Sequence, residues 1–263
     1  MTRILFLGDI FSQAGRVLVK KRLTGLIGRE ELDLCLANGE NAAGGIGLTA
    51  ECAWELLGDG LDALSGGNHT FKYNEIEALL ENDRRLIRPA NYPAPCPGRG
   101  WTLLETAAGV KVGFGNVMGR TYMGTGLDCP FRTSERLLEE MGRAGAKITI
   151  IDFHAEATSE KIALTWHLDG RVGAVLGTHT HVQTADERIF PGGTAYITDV
   201  GMTGPHESVI GMRYQEAIAS FMTGRIHRFK PAKNRPILQG VILDFDELGR
   251  ATAITRLSLE GLP

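Results

Sequence analysis

Nowhere does this chain hold the roughly 20 consecutive apolar residues that a membrane-crossing helix needs, so no bilayer span is expected. Its four cysteines, Cys35, Cys52, Cys96 and Cys129, are scattered and form no C-x-x-C pair. That excludes a zinc knuckle and a small disulfide framework, and fits reduced thiols in the cytoplasm. Met1-Thr2-Arg3 runs straight into a strand-like segment without a charged leader and cleavage site, so export is not expected either. The glycine-rich stretch after Ala37 is followed by neither G-x-G-x-x-G nor G-x-x-x-x-G-K-[ST], which argues against dinucleotide and P-loop chemistry. A net charge of only −3 argues against a protein devoted to wrapping nucleic acid, although a local basic patch would be compatible with it. Repeats and low-complexity segments are also missing.

What is present is a core's worth of apolar residues, 43% of the 263, and 34 glycines, which imply many tight turns and close backbone approaches. We expect one domain over 1–263. Residues 3–8 read as a short buried strand, 15–29 as an amphipathic helix, 33–37 as a strand, 49–57 as a helix, 61–64 as a strand and 73–81 as a helix. This is the alternation of a wound sheet. The proline-dense stretch from Arg88 to Pro97 reads as an ordered crossing loop. A hairpin is expected from 101–106 and 110–117, then a helix at 131–144, a strand at 147–153, a helix at 156–168, and strands at 172–176 and 194–198. Residues 239–245 and 252–259 would pair as a closing hairpin. Strands divided between an early and a late half predict an α/β fold of two packed sheets flanked by helices, a layered α/β/β/α sandwich.

Five polar clusters trail apolar runs: Gly8-Asp9, Asn38-Gly39-Glu40-Asn41, Gly67-Asn68-His69, Asp152-Phe153-His154 and Gly177-Thr178-His179-Thr180-His181. Side chains of these types at strand ends point to a shared metal site at the carboxyl edge of a sheet. In extended backbone His179 and His181 would lie on one side, within reach of one point or two neighbouring points. Asp9 reads as a ligand in preference to a helix cap, because Ile10 and Phe11 continue the apolar run. Glu40, a long acid among small residues, is suited to bridging two cations. Asn41 is a turn residue or an oxygen ligand, and Asn68 carries the same two readings, with His69 beside it as a candidate proton donor. His154 is a ligand candidate with a satisfied core histidine as the alternative. Asp152, Glu156, Asp186 and Asp199 read as partners of ligands or as caps. His167, His206 and His227 read as ordinary polar residues. The basic run 225–235, with Arg228, Lys230 and Lys233, is a solvated face or a phosphate contact.

Taken in order, these clusters resemble the calcineurin-like metallophosphoesterases. The longer runs Leu7-Gly8-Asp9-Ile10, Asn38 to Gly45, Gly67-Asn68-His69-Thr70, Arg88 to Pro93, Asp152 to Lys161 and Thr198 to Met202 are similar to the YmdB-type bacterial branch across almost the whole chain. The resemblance implies a cytoplasmic, homo-oligomeric phosphodiesterase with two metal ions, commonly iron or manganese, acting on cyclic nucleotides such as 2′,3′-cyclic monophosphates. It implies that Asp9, Glu40, Asn41 and His181 hold one ion and Glu40, Asn68, His154 and His179 the other. The usual D-x-H of the superfamily is here Asp9-Ile10-Phe11, so Asn41 would take the missing histidine's place, and Glu40 stands where an aspartate usually bridges.

Two cations about 3.5–4 Å apart can lower the pKa of a shared water to roughly 7, so attack on phosphorus would need no protein nucleophile. His69 would protonate the departing alkoxide. A metal-dependent amidohydrolase also uses His-x-His, but close to the first strand, whereas here the pair is late. From another class, the chain could be a regulatory nucleotide- or RNA-binding module with little turnover, which a steep salt dependence of RNA binding would reveal.

Overall fold

A computed structural model describes residues 1–124, 126–225 and 227–261. Its first half runs β1 (Thr2–Leu7), β2 (Asp9–Ile10), α1 (Ser12–Glu30), β3 (Leu34–Asn38), α2 (Ala50–Gly58), β4 (Ala63–Ser65) and α3 (Ile76–Asn82). The second runs β5 (Trp101–Glu105), β6 (Lys111–Met118), α4 (Pro130–Arg143), β7 (Ile148–His154), α5 (Thr158–Leu168), β8 (Ala174–Thr178), β9 (Arg188–Ile189), β10 (Ala195–Ile197), β11 (Met202–Pro205), α6 (Tyr214–Thr223), β12 (Pro236–Phe245) and β13 (Ala251–Glu260). The strands form two sheets, ordered β2-β11-β12-β1-β3-β4, with β13 on β12, and β5-β6-β7-β8-β10-β9.

The period of two in a strand sends alternate side chains to opposite layers. In β1, Leu5 and Leu7 join a core with Leu18, Leu23 and Leu56 of α1 and α2, while Ile4 and Phe6 face the second sheet. There Phe6 meets Phe114 edge to face, ring centres 6.0 Å apart, in a layer that includes Ile150 and Leu176. A third core, with Leu137, Leu164 and Phe153, packs α4 and α5 on the outer face of the second sheet. Burial of each such side chain contributes roughly 1.5–3 kcal/mol. The layers are therefore α/β/β/α, as expected.

The β1, β3 and β4 strands are parallel, as are β6, β7, β8 and β10. Asp9, Glu40, Asn68 and His69 follow the carboxyl ends of the first group, and His154, His179 and Asp199 end or follow strands of the second. Gly8 keeps the first edge closed: any Cβ there would collide with the carbonyl of Gly201, whose oxygen accepts the Asp9 N–H at 3.1 Å.

The proline-dense loop is ordered from within. Buried Arg88 donates to the carbonyls of Pro89 (2.9 Å), Cys96 (2.9 Å) and Pro97 (3.1 Å), and Asn91 clamps the main chain of Met118. Two local expectations need correction. The helix read from residue 73 begins at Ile76, because Thr70–Lys72 forms a separate 3-10 turn under the polar loop. Asp9 and Ile10 form a second short strand, paired with Met202 and Thr203. Helix α6, where no element is expected from the sequence, carries Tyr214, Ala217, Ile218, Phe221 and Met222 at helical spacing but buries only Ala217; Glu216 in its first turn and Gly224, at φ +65°, mark its ends. No described helix is long and apolar enough to cross a membrane.

Candidate metal centre

The loops after β1, β3 and β4 face those after β7 and β8, and five sequence-distant clusters meet there. His154 Nε2 lies 3.0 Å from Glu40 Oε1, 2.9 Å from Asn68 Oδ1 and 3.1 Å from His179 Nδ1. Glu40, His154 and His179 each offer an atom within 4.8 Å of the others, a spacing that suits one cation. Beside them, Asn41 Nδ2 is 3.1 Å from Asp9 Oδ1, 3.2 Å from His181 Nε2 and 3.5 Å from Glu40 Oε1. A half-turn of the Asn41 amide would present its oxygen to the same place. Glu40 therefore touches both groups.

The donor set fits metal better than protons. One proton on His154 Nε2 cannot serve three neighbouring lone pairs, whereas a cation among them can serve all. The opposite ring nitrogens are engaged in ways that leave Nε2 free to bind. His181 Nδ1 donates to the Ile210 carbonyl at 2.9 Å. His154 Nδ1 donates to Thr178 Oγ1 at 2.9 Å, and that hydroxyl donates to Asp152 Oδ1 at 2.7 Å. Such partners fix the tautomer and orientation of a metal-binding imidazole.

Electrostatics follow from crowding. Burial alone would raise the Asp9 and Glu40 carboxyls, yet His181 and His154 respectively hold both below their usual range. Burial opposes protonation of His154, but Glu40, then Asp9 and Asp152, push it up to about 9. His179 is depressed to about 4, first by burial and then by His154. Burial also lowers the His69 imidazole, whose Nε2 lies 3.3 Å from the Asn68 amide, while the backbone N–H of His69 donates to Glu40 Oε2 at 2.8 Å. Gly67 is required at this point, since a Cβ would strike both the His154 ring and the Glu40 carboxylate.

Extended backbone does not bring His179 and His181 to their places. The β8 strand ends at Thr178, and the two histidines take positive φ, +100° and +65°. Their side chains then go to different subsites, His179 to His154 and His181 to Asp9. Asp199 Oδ2 holds the strained loop, accepting Thr180 N at 3.0 Å and Thr180 Oγ1 at 2.8 Å, while Oδ1 accepts Gly201 N at 2.9 Å. Fully buried Lys161 completes the clamp, 3.2 Å from Asp199 Oδ2 and 2.9 Å from the Thr178 carbonyl.

Sequence reasoning passed over Lys161. Its signal was its place beside Leu164, Thr165 and Leu168 on the buried stripe of α5. Of the expected partners, Glu156 lies 3.2 Å from His179 Nε2, and Asp186 reaches the site only through Thr184 and Thr198. His167 pairs with Glu135 on the surface, and His206 contacts the Met202 carbonyl, both away from the centre. Residue 226 of the basic run lies outside the described residues.

A family model described as YmdB-like protein matches residues 5–257. A Bacillus subtilis (strain 168) protein named 2′,3′-cyclic-nucleotide 2′-phosphodiesterase is 46% identical over 245 residues, 93% of this chain and 92% of the relative. Among solved structures, a hypothetical protein from Thermus thermophilus superposes with a TM-score of 0.92 at 44% identity, covering 98% of this chain and 99% of its own. A Mycoplasma pneumoniae structure titled a novel phosphatase also gives 0.92, at 33% identity, with 98% and 93% covered.

Proposed function

Because the chain belongs to the YmdB-like family of metallophosphoesterases, we propose that it hydrolyses phosphodiesters, with 2′,3′-cyclic nucleotides as substrates. The observation that carries this reading is the convergence of Glu40, Asn68 and His179 on His154 Nε2, with Asp9, Asn41 and His181 alongside. Asp9, Glu40, Asn41 and His181 would hold one ion, and Glu40, Asn68, His154 and His179 the other. When bound, such a pair supplies an activated water and neutralises phosphoryl charge. Mixed imidazole, carboxylate and amide donors favour iron or manganese over thiolate-seeking metals.

The chain's own groups then have definable tasks. The Glu40 carboxylate keeps the two halves in register and anchors the His69 main chain. As a water oxygen bonds to phosphorus and one ring P–O bond breaks, a proton carried by the His69 imidazole passes to the leaving ribose oxygen, and the proton released by the attacking water goes to solvent, from which the imidazole is recharged. Four free cysteines suit a reducing cytoplasm, the core shared between the sheets suits a single domain, and we include homo-oligomeric assembly in the same reading.

The test is metal content per chain together with hydrolysis of 2′,3′-cyclic nucleotides and of a chromogenic diester. A parent protein that takes up no metal, or a Glu40→Gln variant as active as the parent, contradicts it. A second reading, an RNA- or nucleotide-binding regulator with little turnover, draws on a groove of about 1100 Å³ bordered by Arg213, Lys230 and Lys233. RNA affinity that falls steeply with salt, without hydrolysis, would favour that reading.

A further inference from the structure

A cavity of about 460 Å³, within the size range of small-molecule sites, opens over the metal centre and has two unlike walls. Glu40, His69, His179 and His181 line one. The other consists of Val209, Ile210, Met212, Ala217, Phe221 and Phe229, with no polar side chain among them. Three of these remain open to solvent: Phe221 is 84% exposed, Ile210 52% and Phe229 45%. Single exposed apolar residues are ordinary, but a cluster bordering a polar cleft marks a recognition surface. The ring of Phe221 does not hold α6 in place, since Ala217 is the helix's buried residue. Anything whose phosphate reaches the histidine wall must lay its remaining atoms within the same small cavity.

We propose that Phe221 and Phe229 form a stacking platform for the nucleobase of the substrate. This rests on the phosphodiesterase reading and adds how the enzyme tells a nucleotide from other cyclic phosphates. A hydrocarbon wall reads the face of a base and not its hydrogen-bonding edge, and stacking of this kind tolerates every base. The platform therefore selects for the presence of a base while treating the four bases alike.

The experiment uses the metal-loaded full chain and two diesters with the same reacting group, adenosine 2′,3′-cyclic phosphate and base-free methyl ribofuranoside 2,3-cyclic phosphate. Phe221→Ala is expected to lower the preference for the nucleotide, as the ratio of kcat/KM values, about tenfold, through KM and not kcat. Phe221→Trp is expected to restore it. Calorimetric titration with adenosine 3′-monophosphate supplies a readout free of turnover, in which Phe221→Ala should weaken binding by the same factor while ribose 3-phosphate binding is unmoved. If the parent hydrolyses neither diester, the phosphodiesterase reading fails, and the titration still decides the platform. Equal losses with and without a base overturn the proposal. So does an effect of Phe221→Ala confined to sedimentation, which would mean that a second copy sits on α6.

Discussion

The two sheet edges that meet at the centre contribute different atoms. The first sheet supplies oxygens, from Asp9, Glu40, Asn41 and Asn68, and the second supplies imidazole nitrogens, from His154, His179 and His181. Neither set is stable alone, because two buried carboxylates without cationic neighbours would carry a large desolvation cost and take up protons instead. Placed together, His154 and His181 keep Glu40 and Asp9 ionised, and Glu40 in turn raises His154. The centre therefore belongs to the junction of the sheets, and its polarity is compatible with burial only once both are in place. The edges also differ in backbone. The oxygen side rests on short glycine-bearing loops, whereas the nitrogen side uses two strained histidines held by a buried Asp199–Lys161 pair.

Breaking the shared member should have the largest effect. Glu40→Gln removes the charge that touches both edges, and we expect loss of metal with a rate loss on the order of 10³ or more, read by metal analysis beside the diester assay. His69→Ala leaves both edges intact, so metal should stay while kcat falls about 100-fold, most for substrates with poor leaving groups; metal loss would show that His69 is a ligand. Asp199→Asn loosens only the nitrogen edge. Its expected signature is a roughly 10- to 100-fold weaker metal affinity in chelator competition, with far-ultraviolet circular dichroism unchanged. Smallest is His167→Gln, which breaks an exposed pair with Glu135 and should shift stability by less than about 1 kcal/mol in urea titration, with turnover unaltered.

The side chains of Asp9, Glu40, Asn41, Asn68, His154, His179 and His181 converge because each follows an apolar run, and a buried strand can end in Asp, Glu, Asn or His only where something offsets the cost of burying that group. Residues that support the site were less visible. Thr178 and Ser65 look like any strand-end hydroxyls; Thr178 bonds to Asp152 from the neighbouring strand of the same sheet, and Ser65 reaches the same carboxylate from the other sheet. Helix α6 was passed over although Tyr214, Ala217, Ile218, Phe221 and Met222 repeat at helical spacing; that stripe faces the cavity and solvent more than the core.

By itself the sequence determined most of the strands, though not the short β2, β9 and β11, together with the α/β/β/α layering and the identity of the polar groups at the strand ends, since these follow from short-range apolar patterning. Tertiary structure alone decided how His179 and His181 part to separate subsites. That turn depends on Asp199 and Lys161, which reach Thr180 and Thr178 from elsewhere in the chain, and a positive φ at a non-glycine residue persists only where distant contacts impose it.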